Sequence, residues 1–323
     1  MKTVNAARCY ALSIGVVTAL LAGCGGSQPP IGAPGAFPQG VQTKSWASPQ
    51  VDRKLIYVAG IFPNSVSVYS WRGKLLKTLK LSYSPRGLCT DTNGDLYVVD
   101  TAGAKIVEYA SEGSGRTRTL KDPGQRPAAC SVDPNTGNLA VTNSKTTSSG
   151  SGSVAIYTKA MGKPKLYTNP TLTIASSCGY DAKSNLFVDG DAGQPFPGSV
   201  WLGELPAGQD SLLQIKVDRK IEEPGEVQWI APYVTIGALY FDTIYRLTVS
   251  GDKAKVAGTT KLKGAEVVNS WIQGTKVVAG TIIFTSVPGK VEIWDYPAGG
   301  KPIKAFGNAQ FTNAVTVSAA PPR

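Results

Sequence analysis

The chain of 323 residues contains no histidine. That absence removes Ser-His-Asp and Cys-His nucleophilic catalysis, imidazole metal sites and histidine acid–base pairs in one step. Thiols and oxygen donors are left to do any chemistry. Of the five cysteines, Cys9 and Cys24 lie near the N-terminus, and Cys89, Cys130 and Cys178 lie in the body. Cys130 and Cys178 each stand three residues before a turn aspartate, Asp133 and Asp181, so they occupy equivalent repeat positions. Cys89 stands two before Asp91 and is expected to face the other way. All three are expected as buried thiols packed near a central axis. The alternative is a Cys130–Cys178 disulfide, which requires their Cα atoms to come within about 7 Å. The acidic turns Asp91–Asp95, Asp133–Asn138 and Asp181–Asn185 lack the ligand spacing and terminal glutamate of a calcium loop. Their Asp and Asn side chains are expected to hydrogen-bond their own turn backbones.

The segments that carry these residues recur. Pro85–Asp91 leads through a polar turn into Leu96–Asp100, Pro127–Asp133 into Leu139–Asn143, and Ser176–Asp181 into Leu186–Asp189. Each reads as a β-hairpin around Asp, Asn or Gly. A third strand follows each hairpin. Its copies, aligned at Val66, Ile106, Val154, Val200, Ile244 and Val291, are spaced 40, 48, 46, 44 and 47 residues apart. A fourth, often basic, strand comes after a glycine turn, as in Lys74–Leu81 and Asp210–Val217. Four strands per unit at this period predict a β-propeller, here with six blades. The first unit lacks an inner strand, while Thr312–Val317 matches one. The C-terminal strand is therefore expected to close the ring inside the N-terminal blade, which leaves no unpaired edge at the seam. Trp201, Trp229, Trp271 and Trp294 are expected between blades, as core.

Composition agrees with a folded, turn-dense body. The 36 Gly and 22 Pro make up about 18% of the chain, below the roughly 25–30% of a low-complexity sequence. The formal net charge is +11. Its lysines and arginines concentrate on the fourth strands, where charge guards exposed edges against further pairing. No nucleic-acid-binding module is recognisable.

Lys2 and Arg8, the apolar run Ala11–Leu21 and the sequence Leu21-Ala22-Gly23-Cys24 resemble the signal and lipobox of bacterial lipoproteins. The apolar run is too short to span a bilayer. The resemblance implies cleavage after Gly23, lipidation of Cys24, and export to an outer membrane or cell envelope. Residues 24–50 then form a Gly/Pro-rich tether, residues 51–323 the propeller, and the net charge falls to +9 once Lys2 and Arg8 are removed.

The unit Pro85-Arg86-Gly87-Leu88-Cys89-Thr90-Asp91-Thr92-Asn93-Gly94-Asp95-Leu96-Tyr97-Val98 resembles NHL-type and senescence-marker-protein/gluconolactonase-like six-bladed propellers. Two later units, over residues 226–236 and 266–280, depart from it and lack the Asp turn. The gluconolactonase-like resemblance implies a calcium or zinc ion in the central channel, held by Glu, Asn and Asp of different blades. Without histidine, the oxygen donors available here suit calcium. Glu226, Glu266, Asn269, Asn313 and Asp189 are the candidate ligands, with Asp100, Asn143 and Asp191 at neighbouring strand exits. No catalytic motif is recognisable. The expected function is thus a monomeric, lipid-anchored, non-catalytic binding or scaffolding module with a membrane, an envelope protein or an anionic polymer as partner. The alternative is a calcium-dependent lactone or ester hydrolase.

Overall fold

A computed structural model of the protein describes residues 54–146, 150–193, 199–237, 241–264, 266–282, 289–309 and 312–318. They fall within the compact unit Ser48–Arg323. The expected signal, Cys24 and the tether lie outside the described residues.

The sheets are built of antiparallel meanders that follow one another in chain order. The first holds β1 (Leu55–Ile61), β2 (Asn64–Ser70) and β3 (Leu75–Lys80), the next β4 (Pro85–Thr90), β5 (Leu96–Asp100), β6 (Lys105–Tyr109) and β7 (Arg116–Lys121). The third contains β8 (Gln125–Val132), β9 (Leu139–Thr146), β10 (Ser153–Tyr157) and β11 (Lys165–Tyr167). An eight-stranded sheet joins two further meanders. One comprises β12 (Ile174–Tyr180), β13 (Leu186–Asp191), β14 (Val200–Leu205) and β15 (Leu213–Val217), the other β16 (Val227–Ile230), β17 (Tyr233–Gly237), β18 (Thr243–Ser250) and β19 (Lys253–Lys261). They meet in a short parallel pairing of β15 with β19, Lys216 opposite Lys253 and Val217 opposite Ala254. The last sheet holds β20 (Glu266–Gln273), β21 (Lys276–Ile282), β22 (Gly289–Asp295) and β23 (Lys304–Ala309). β24 (Thr312–Val317) then returns to β1, with Ile56 opposite Val317 and Val58 opposite Val315.

The first strands of the meanders neighbour one another in the closed order β24, β4, β8, β12, β16, β20 and back to β24. This is an all-β propeller, and the C-terminal strand closes it as the repeats predict. Its core is divided among the spaces between neighbouring sheets. Cys89, Val99 and Ile106 pack with Cys130, Val141 and Tyr157, and on the other side of the same sheet Leu88, Leu96 and Val98 pack with Tyr57 and Val66. A strand covered on both faces has no polar face to alternate with. Hence Leu96–Val99 is a continuous apolar run, and β5 is buried throughout. Trp201 and Trp294 are fully buried in two such interfaces, and Trp229 and Trp271 are partly buried against the cores of two others.

The hairpin turns behave as their sequences require. Asp91 Oδ1 accepts from Asn93 N and Asp95 N at 2.9 Å each, and Asp181 Oδ1 from Lys183 N and Asn185 N at 2.8 Å each. The acids are thus committed to their own loops.

The cysteines depart from both readings, since neither three free thiols nor a Cys130–Cys178 bridge is found. Cys89 bridges Cys130, with Cα atoms 5.6 Å apart, and Cys178 is a buried thiol. Cys130 and Cys178 occupy equivalent positions and so both face the preceding sheet, Cys130 toward β4–β7 and Cys178 toward β8–β11. Their equivalence is what keeps them apart. Cys89, of opposite parity, looks forward and meets Cys130. The approach depends on Gly87, where a Cβ would stand 2.4 Å from the Ala128 carbonyl oxygen.

A candidate ligand site at the channel mouth

The inner strands carry irregularities at one and the same end. Bulges interrupt the ladders between Pro85 and Leu88, between Gln125 and Ala129, between Ala175 and Ser177, and between Val267 and Asn269. Ala59–Gly60 bulges opposite the start of β24. Bulges bend a strand and re-aim its side chains, and here they turn the starts of the inner strands toward a shared mouth. Side chains cross from sheet to sheet there. Thr101 Oγ1 donates to Pro127 O at 2.6 Å, Thr142 Oγ1 to Ser176 O at 3.1 Å, and Asn313 Nδ2 to Pro85 O at 2.9 Å.

A cavity of about 320 Å³ opens between these ends, and Arg86, Ser177, Glu223, Glu226, Asn269 and Asn313 contribute to its wall. An adjoining hollow of about 680 Å³ shares Arg86 and Asn313 and adds Arg126 and Gln125. Arg86 and Arg126 are both exposed. The mouth is thus cationic toward β4 and β8, and lined by carboxyl and amide groups toward β16, β20 and β24.

On the second side the polar groups interlock. Asn269 Nδ2 donates to Glu226 Oε2 at 2.6 Å, and Asn269 Oδ1 accepts from Val315 N at 2.8 Å. Ser177 Oγ accepts from Val227 N at 3.1 Å. Behind them lies Asp189, fully buried, whose oxygens accept from Ser177 N at 2.9 Å and Gly225 N at 3.0 Å. Burial pushes the Glu226 carboxyl up to about 8, against the lowering effect of hydrogen bonds with Asn269 and Ser177. Burial likewise holds Asp189 well above the usual carboxylate range, outweighing its two backbone donors. The Cys178 thiol is raised by burial first, then by the nearby Glu226 and Asp189. At neutral pH Glu226 is therefore largely a neutral carboxylic acid that can donate as well as accept.

Of the five candidate metal ligands, Glu226, Asn269 and Asn313 come together at the mouth, with Asp189 behind them. Glu266 does not join them: it is exposed at the start of β20, opposite Ile282 in the ladder. Each Asp189 oxygen and the Asn269 oxygen accepts a backbone N–H, and Asp189 lies fully buried behind the mouth. The residues present thus do not fit the oxygen-rich shell that calcium requires. Among the described residues no three carboxylates or thiols converge on one point. The strand-exit residues have structural partners: Asp100 pairs with Lys105 at 3.1 Å, and Asn143 Nδ2 donates to Ser153 Oγ at 3.2 Å.

Arg86, Arg126 and Ser177 were not singled out from the sequence. A signal existed for the arginines, since each adjoins a proline at the start of an inner strand in consecutive repeats, Pro85-Arg86 and Arg126-Pro127.

Fold and site together define a β-propeller with a polar, two-sided channel mouth. The chain is similar in fold to a chain in the crystal structure of a nidogen/laminin complex, with a TM-score of 0.66 and 11% identity over 82% of this chain and 98% of that one. It is also similar to a protein of unknown function from Bacteroides caccae, with a TM-score of 0.61 and 10% identity over 82% of this chain and 99% of that one. At such identities the likeness is one of fold. No protein-family model and no curated protein sequence matches the chain.

Proposed function

We propose that the protein is a lipid-anchored, exported binding module with six blades, which takes a small anionic, hydrogen-bonding ligand at its channel mouth without transforming it. The blade count takes the eight-stranded sheet as two blades that touch at their rims. The observation that carries the reading is that Arg86 and Arg126 border the same mouth as Glu226, Asn269 and Asn313. An anionic group pairs with the guanidinium groups, whose planar fork suits carboxylate or phosphate, while hydroxyl or amide groups meet the neutral carboxyl and amides. The nucleophiles of the wall are not activated: Ser177 hydrogen-bonds the Glu226 carboxyl, which burial keeps largely neutral and so unable to take the hydroxyl proton, and the Cys178 thiol is buried and held protonated.

The site is tested by thermal-shift and calorimetric titration with sugar acids, dicarboxylates and phosphate esters. At least one class should stabilise the protein saturably, and Arg86→Ala/Arg126→Ala should lose that response by tenfold or more. An unchanged response in the double variant, or turnover of the bound compound, would overturn the reading.

Support for anchoring comes from Leu21-Ala22-Gly23-Cys24, and support for export from the Cys89–Cys130 bridge, since disulfides persist in oxidising compartments. Replacing Cys24 with Ser should shift the protein from the membrane to the soluble fraction. Continued membrane association of that variant would refute the anchor.

A further inference from the structure

A second cavity lies at the rim, between the outer strands β7 and β11. It encloses about 780 Å³ and is lined by Leu120, Met161, Leu166, Arg118, Lys121 and Lys163 among others. Its floor is made: Leu120 is buried, and Arg118 crosses it, with Nε 2.9 Å from Glu108 Oε2 and Nη1 donating to Ala160 O at 2.7 Å. Its walls are open: Met161 is 52% and Leu166 46% exposed. β7 and β11 are the terminal strands of their sheets and have one hydrogen-bonded neighbour each. The acidic residue in the lining is Asp122, which is buried at 1% exposure, so the accessible charge is positive.

The same chain shows what such a gap can accept. At the rim between the β12–β15 and β16–β19 meanders, β15 is covered by a parallel strand, β19, with Lys216 N donating to Asp252 O and Asp218 N to Ala254 O at 2.8 and 2.9 Å. An outer strand of this propeller can therefore carry a further strand along its free edge.

We propose that the groove between β7 and β11 binds an extended acidic segment of a partner polypeptide. The segment adds as a strand along β7, sets aliphatic side chains against Met161 and Leu166, and places carboxylates beside Lys121 and Lys163. Main-chain hydrogen bonds to an exposed edge give affinity in this mode, and alternate side chains give specificity. Charge complementarity selects an acidic segment over a basic one.

The test is fluorescence polarisation with the full chain and a labelled (Glu-Val)₃ peptide as probe. Saturable binding is expected, at least tenfold weaker for (Lys-Val)₃ and for a (Glu-Val)₃ peptide N-methylated at alternate residues, which cannot complete a ladder. Lys121→Glu/Lys163→Glu should weaken binding by tenfold or more. Leu213→Asp, at the exposed side of the already paired β15, should leave it unchanged and so controls for non-specific adhesion. The proposal is overturned by absence of saturable binding, by equal binding of the basic peptide, or by undiminished binding to the double variant. It is also overturned if sedimentation shows self-association through this groove, abolished by Met161→Asp, in place of peptide binding. The channel-mouth variant Arg86→Ala/Arg126→Ala should bind the peptide normally, so the two sites stand or fall separately.

Discussion

Between the β4–β7 and β8–β11 sheets the chain is tied covalently near the axis, through Cys89–Cys130, and left open at the rim beside β7 and β11. Between the β12–β15 and β16–β19 meanders the arrangement is reversed. The rim is closed by strand pairing, and the inner ends are held by hydrogen bonds that Gly225 N and Val227 N donate to buried Asp189 and Ser177. The inner strands approach closely in both places, since a Cβ on Gly87 or on Gly179 would collide with the neighbouring backbone, at 2.4 and 2.7 Å. The rim gap is therefore no necessity of the fold. It follows from the outer strands: β19 runs for nine residues and reaches β15, whereas β11 has three, after a Gly162–Pro164 segment. Proline lacks the N–H that would extend the ladder.

Breaking the covalent interface should have the larger effect. Cys89→Ser, or reduction of the bridge, should lower unfolding stability by about 2–4 kcal/mol, the usual range for a disulfide closing a loop of this size. Denaturant titration with and without reductant measures it. Cys178→Ser should leave the reductant-sensitive component intact, and loss of that component would mean that Cys178 belongs to the bridge after all.

A smaller effect sharpens the other interface. Glu226 has a folded-state pKa raised from 4.5 to about 8. The folded protein thus binds the proton more tightly than the unfolded chain. This contribution to stability is complete below pH 4.5 and is lost as pH rises through 8. Glu226→Gln keeps a carbonyl for the Asn269 donor and removes the ionisation. It should match the parent near pH 4 and exceed it at pH 8.5 by at least about 1.4 kcal/mol, the equivalent of one pKa unit. Asp189, raised in the same direction, should leave a residual slope in the variant. Chemical denaturation across pH 4–9 reads both, and parallel profiles would show that Glu226 does not ionise in this range.

Much of the architecture was legible because it depends on local pattern. The Asp-Thr-Asn-Gly-Asp turn after β4, the continuous apolar runs of the second strands and the third-strand spacing all express constraints within one repeat. Ring closure was legible too, since Thr312–Val317 is an inner strand without a hairpin of its own. The candidate site was only half legible. Glu226, Asn269 and Asn313 were recognised as inner-strand polar residues, but Glu266 was grouped with them although it is exposed. Arg86 and Arg126, which give the mouth its second side, were not singled out at all.

By itself the sequence determined the repeat, the strand types, the closing strand and the exclusion of imidazole chemistry, because side-chain identity and spacing within about 50 residues suffice for each. Tertiary structure decided which cysteines meet, which acids reach the mouth and which rim gap remains open. Those outcomes depend on the direction a strand faces after a bulge and on how closely two backbones approach at a glycine. Both are set between repeats distant along the chain, by packing that no single repeat records.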